Sequence, residues 1–116
     1  MVNQKNFEIP DQGALAYLTF DDTEGHEQKG RRPVFVLSIK EANRHTGMVL
    51  CLPITSHVKG YAQEVILPDG LPVTGAILLA QARSFDFKAR NLRIVGYAPE
   101  DFIEEVVATF SAIVGR

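Results

Sequence analysis

The chain has 116 residues and a single cysteine, and its 12 lysines and arginines stand against 14 acidic residues for a formal charge of −2. A chain of this length is expected to form one domain, for which one core is enough, burying roughly two-thirds of the surface it would expose unfolded. At 46% hydrophobic and 22% charged residues it is neither a disordered tail nor a coiled coil.

The longest apolar run, Met48 to Ile54, falls far short of the ~20 residues that span a bilayer, so no membrane segment is expected. The N-terminus, MVNQKNFEIPDQG, lacks a basic stretch followed by an apolar one and is not read as a secretory signal. One cysteine cannot form an internal disulfide, which fits a reducing cytoplasm. The mild acidity excludes a uniformly basic nucleic-acid binder, but the charges are segregated. Residues 1–24 and 94–116 are acidic, whereas residues 25–93 hold ten of the basic residues against five acids, a segment charge of +5.

In chain order, Ala14 to Phe20 reads as a strand entered through Gly13 and closed by the polar Asp21 to Gly25. Gly25 to Arg31, GHEQKGR, has no apolar residue and reads as an exposed loop. Pro33 to Ile39 is β-branched and aromatic and reads as a second strand, with Pro at its first position. Lys40 to His45 is a short polar connection of helical character ending at Thr46-Gly47. Met48 to Ile54, MVLCLPI, reads as a strand buried on both faces, with ladder pairing lost near Pro53.

Glu64 to Leu67 and Gly75 to Gln81 read as two further strands around the turn-rich Pro68 to Pro72, and Leu92 to Tyr97 as the last strand. The tail reads as a helix. Pro99 stands at its first turn, Glu100 and Asp101 complement the positive end of its dipole, and Gly115 lies just past its last apolar residue. Phe102, Val106, Phe110 and Ile113/Val114 recur at helical spacing while Glu104 and Glu105 take the other side. The fold class is therefore α+β: a small, highly curved antiparallel sheet of five or six strands with a C-terminal helix, in one domain over 1–116.

Strands 33–39 and 48–54 are joined by only eight residues, which favours an antiparallel pair. That pairing brings Arg31 and Arg32, before the first strand, beside Thr55 and Ser56, after the second. A guanidinium is a planar, permanently charged fork suited to phosphate oxygens, and hydroxyls donate to the same oxygens. His26 and Glu27 on the adjoining loop are groups that move protons. On the residues alone these parts describe either a phosphodiester site or ordinary polar groups at strand ends.

At these positions the sequence resembles the MazF/PemK endoribonuclease toxins of type II toxin–antitoxin systems. The resemblance is carried by Gly25-His26-Glu27-Gln28-Lys29-Gly30-Arg31-Arg32-Pro33-Val34, by Val36-Leu37-Ser38, and by Asn43 with Thr46-Gly47-Met48. It continues in Pro53-Ile54-Thr55-Ser56, Lys59-Gly60-Tyr61 with Glu64-Val65, Gly75, and Gln81-Ala82-Arg83-Ser84 through Ala89-Arg90.

The resemblance implies a barrel-like sheet related to the SH3 fold, a homodimer, and cleavage of single-stranded RNA without metal or cofactor. In that chemistry the ribose 2′-hydroxyl attacks its own phosphate and leaves a 2′,3′-cyclic phosphate and a 5′-hydroxyl. It assigns Arg32 to transition-state charge and Thr55 to hydrogen bonding with the phosphate, with Glu27 or His26 as the base. Gln28, Ser56, Gln81 and Arg83 become RNA-contacting positions. A small antitoxin with an acidic, disordered segment is the implied protein partner. Lys59 reads as a solvated turn charge and Cys51 as a buried hydrophobe.

The chain departs from the family pattern where Leu78 and Ala80 fill the places of an arginine and an acid that some relatives use in catalysis. A gyrase poison of the CcdB type, sharing the fold, is the alternative. It relies on a C-terminal tryptophan, and this chain has no Trp. A homologue that binds RNA but cleaves it weakly is the other alternative.

Overall fold

A computed structural model describes residues 8–20 and 30–116. Seven strands and two helices are found among them: β1 (Ala14–Phe20), β2 (Gly30–Val36), α1 (Lys40–Thr46), β3 (Met48–Thr55), β4 (Glu64–Ile66), β5 (Ala76–Leu78), β6 (Arg83–Asp86), β7 (Arg93–Tyr97) and α2 (Glu100–Ile113). A short 3-10 turn, Leu79–Gln81, separates β5 from β6. Every pairing is antiparallel, in the order β4-β5-β3-β2-β1-β7 with β6 also on β3. This is the expected α+β architecture with its C-terminal helix.

Side-chain alternation explains why β3 is continuously apolar. Leu52 and Ile54 join Leu15, Phe35, Ile77, Phe102 and Val106 in one core beneath α2. Val49 and Cys51 join Ala16, Leu18, Val34, Phe85 and Phe87 in a second core on the opposite face. Successive residues of a strand point to opposite faces, so a strand sandwiched between two cores has no polar side.

Several elements differ from expectation. The second strand starts at Gly30 and ends at Val36, so Arg31 and Arg32 lie inside it, opposite Thr19 and Leu18 of β1. Pro33 is tolerated there because pairing with β3 begins only at Val34, and at position 33 β2 has one neighbour. The strand expected over 75–81 stops at Leu78, where the chain turns into the 3-10 segment. Arg83–Asp86 forms β6, a strand the sequence reading lacks, with one buried residue, Phe85, among four.

Pro53 loses pairing on one edge only. It faces Val34 of β2, while on its other edge β3 changes partner, from β6 at Cys51↔Arg83 to β5 at Ile54↔Ile77. The residue without an N–H sits in that gap.

The tail helix begins one residue later than expected, with Pro99 as its N-cap. It buries Phe102, Ile103 and Val106 and leaves Glu104 and Glu105 exposed. No helix among the described residues is long and apolar enough to cross a membrane.

Candidate functional site

A groove of about 690 Å³ opens where β1, β2, β3 and β6 end together. Arg32 reaches it from β2 and Thr55 from β3, each two residues beyond the paired Val34 and Pro53. Arg31, Ser56, Gln81 and Arg83 line it as well. The structure thus brings together six of the residues singled out in the sequence. His26, Glu27 and Gln28 lie outside the described residues. The described residues flanking that segment, Phe20 and Gly30, pair with each other beside the groove.

Two local features fix Thr55. Its Oγ1 accepts the His57 N–H at 3.0 Å, which commits one lone pair and leaves the hydroxyl proton to donate outward. Behind it, Gly75 (φ +124) lets β5 approach closely, since a Cβ there would collide with the Thr55 carbonyl oxygen.

The guanidiniums rest on aromatic rings. Arg32 lies 5.1 Å from the Phe20 centroid, Arg83 5.0 Å from Phe85, and Arg31 5.3 Å from Tyr17. Phe20 and Phe85 meet edge to face at 5.5 Å, and Arg90 reaches both, 4.9 Å from Phe20 and 6.0 Å from Phe85. A ring orients a guanidinium through its face without occupying the in-plane N–H donors, which stay available to an anion. Among the described lining residues three are arginines and none is acidic, so these residues contribute a positive field to the groove.

The groove floor includes Cys51, 1% exposed, whose thiol is pushed up from 9.0 to about 12 by burial. It stays protonated at neutral pH and is no nucleophile. Lys59 is exposed, as expected of a turn residue. No group of three or more His, Cys, Asp and Glu side chains suited to a metal ion occurs among the described residues.

Sequence reasoning missed Phe20, Phe85 and His57. The signals were present but faint: Phe20 is the last apolar residue before a polar loop, and His57 follows the Thr55-Ser56 pair directly. Leu78 lines the groove too. α2 covers the other core, on the face opposite the groove's Val34, Cys51 and Phe85.

The chain as a whole is similar to several known proteins. The MazF endoribonuclease toxin of Escherichia coli K12 is 37% identical over 107 residues, covering 92% of this chain and 96% of its own. The ChpB endoribonuclease toxin of the same strain is 33% identical over 120 residues, covering 98% and 99%. Among solved structures, a MazE-MazF complex from Deinococcus radiodurans superposes with a TM-score of 0.86 at 40% identity, over 94% of this chain and 98% of that one. Residues 11–114 match the family described as PemK-like, MazF-like toxin of type II toxin-antitoxin system, and the chain belongs to that family.

Proposed function

We propose that the protein is an endoribonuclease toxin that cuts single-stranded RNA in the groove between Arg32 and Thr55, without a metal ion or cofactor. The observation that carries this reading is the convergence of arginines and an oriented hydroxyl in a groove without acids among its described lining residues. A phosphodiester is the ligand such a set of donors matches.

In this mechanism the Arg32 guanidinium and the Thr55 hydroxyl hold the non-bridging phosphate oxygens. Their donors face the charge that builds as the 2′-hydroxyl attacks the phosphorus, where it is most stabilising. Glu27 or His26, on the segment flanked by Phe20 and Gly30, removes the 2′ proton. His57, which lines the groove two residues after Thr55, protonates the departing 5′ oxygen as the general acid. The P–O5′ bond breaks as the 2′ oxygen bonds to phosphorus, giving a 2′,3′-cyclic phosphate and a 5′-hydroxyl. Gln28, Ser56, Gln81 and Arg83 contact the strand on either side.

A solved relative supports the antitoxin part of the reading. The D. radiodurans relative is a complex with MazE, and a positive groove is an electrostatic reason for an acidic antitoxin segment to cover it. The working form is a homodimer acting on cytoplasmic mRNA.

The test incubates purified protein with end-labelled single-stranded RNA in excess chelator and identifies the product ends. Undiminished cutting to cyclic-phosphate and 5′-hydroxyl ends is expected. Loss of cutting in chelator, or 5′-phosphate products, overturns the mechanism.

A further inference from the structure

The groove has a smaller neighbour. A second hollow, of about 90 Å³, is lined by Tyr61, Gln63, Glu64, Leu78, Ala80 and Gln81. Leu78 and Gln81 line the main groove as well, so the two spaces adjoin.

The hollow is built by the short β4–β5 ribbon. Glu64 pairs with Leu78, and beyond the ladder the Leu79 N–H donates to the Gln63 carbonyl at 3.0 Å. Carrying that register onward sets Tyr61 opposite Gln81. The turn that presents Tyr61 is tied down from within. The Glu64 carboxylate accepts the Lys59 N–H at 2.9 Å and the Gly60 N–H at 2.7 Å, and the Glu64 N–H donates to the Tyr61 carbonyl at 3.0 Å. Tyr61 is nonetheless 63% exposed. A large aromatic ring held in place but left uncovered is a surface prepared for a partner.

The chemistry of the lining selects that partner. Leu78 and Ala80 are apolar, Tyr61 presents a π-face, and Gln63 and Gln81 carry amides that both donate and accept. No cation lines the hollow, so a phosphate is poorly matched, and the Glu64 carboxylate opposes one. A planar ring with donors and acceptors on its edge fits every part of it. Single strands are read in this way, by stacking a splayed base on an aromatic side chain and hydrogen-bonding its edge.

We infer that the Tyr61–Gln81 hollow is a nucleobase subsite, taking one unstacked base of the strand whose scissile phosphate lies at Arg32 and Thr55. The inference rests on the RNA reading above and adds to it the place where one base is recognised. Gln81 stands at the junction of the two spaces and links base recognition to phosphate binding.

The test measures binding rather than cutting. A panel of 2′-fluoro oligonucleotides, which lack the attacking hydroxyl, is tiled along a long transcript, and the tightest binder is resynthesised with one abasic position at a time. Affinity is read by fluorescence anisotropy for the unaltered protein and for Tyr61→Ala and Ala80→Leu. Both substituted positions are exposed, and circular dichroism verifies that the variants fold.

Removing one particular base is expected to weaken binding to the unaltered protein about tenfold, the scale of a lost base–aromatic stack. Tyr61→Ala, which removes the platform, and Ala80→Leu, which fills the hollow, each weaken the intact strand about tenfold and abolish the abasic penalty at that position alone. Full retention of the penalty at every position in both variants overturns the subsite, even where cutting of natural RNA proceeds. Position-specific loss of the penalty in a protein that never cuts RNA upholds the subsite and overturns the nuclease reading alone. Failure of every strand to bind overturns both.

Discussion

Two polar centres in this molecule are built on opposite principles. Asn43, on α1, is 1% exposed and satisfied internally. Its Oδ1 accepts the Ser38 hydroxyl at 2.6 Å, and its Nδ2 donates to the Pro10 carbonyl at 2.8 Å and the Ser38 carbonyl at 3.2 Å. Ser38 Oγ in turn accepts the Leu50 N–H at 2.9 Å, tying the helix to β3. At the groove, Arg31, Arg32 and Arg83 are exposed and lie over aromatic rings. A polar group that spends its hydrogen bonds inside the protein holds the fold, whereas one oriented by a ring face keeps its donors for a ligand. The first arrangement contributes stability and the second contributes affinity.

The largest test of that division is at the groove. Arg32→Ala and Thr55→Ala are expected to lower the cleavage rate by about 10²–10³-fold, the scale of losing one donor to a developing oxyanion. The melting transition of Arg32→Ala should stay within about 0.5 kcal/mol of the unaltered protein, as is usual for surface substitutions, and that of half-buried Thr55→Ala, which also loses the hydrogen bond from the His57 N–H, within about 1.5 kcal/mol. Arg32→Lys should recover little, because a point charge does not reproduce a bidentate fork. A variant that melts early but still cuts would reverse the assignment.

The reciprocal test removes the satisfied centre. Asn43→Ala strands the Pro10 carbonyl and the Ser38 hydroxyl in a buried place, and a cost of about 2–3 kcal/mol is expected in denaturant unfolding. Well below the melting temperature the cleavage rate should be unchanged. A fall in rate without a fall in stability would show that α1 takes part in the site.

The contrast also explains which parts were legible in the sequence. The β2–β3 pairing followed from the short connection, and it carried Arg32 and Thr55 to one place without any structural information. The start of β2 was misjudged because two consecutive arginines before a proline look like a loop, although a strand with one neighbour accepts both. Arg83–Asp86 was missed for a similar reason: three of its four residues are polar, and the pairing with β3 that makes it a strand is tertiary. Leu78 and Ala80 looked in the sequence like absences from a family pattern. In the structure they are the apolar part of a hollow, a property that depends on Tyr61 returning beside them.

Smaller effects grade the affinity side. Phe20→Leu removes the ring beneath both Arg32 and Arg90, and each cation–π contact is worth ~0.5–1 kcal/mol at an exposed site. RNA affinity should fall about three- to tenfold, with a smaller change in the maximal rate. Arg83→Ala should lower the slope of log affinity against log salt by about 0.7, the counterion release expected for one phosphate contact on a single strand. An unchanged slope would remove Arg83 from the strand's path.

Cys51 sharpens the boundary, since it lines the groove yet belongs with the buried centre. Burial raises its thiol in the folded protein from 9.0 to about 12, so between those values the unfolded chain has lost a proton that the folded protein still holds. Unfolding then releases protons, and the stability fully present below pH 9 declines as pH rises through this window. By about pH 9.5 the loss is only about 1 kcal/mol. Tyr97, whose phenol is also pushed up, chiefly by burial, adds to the same slope, so the measurement is the difference between the unaltered protein and Cys51→Ala. That difference should narrow as pH rises from 8 to 9.5, and the thiol of the folded protein should react with iodoacetamide only as fast as the chain opens. Rapid alkylation of the folded protein, suppressed by added RNA, would place Cys51 among the accessible groove groups instead.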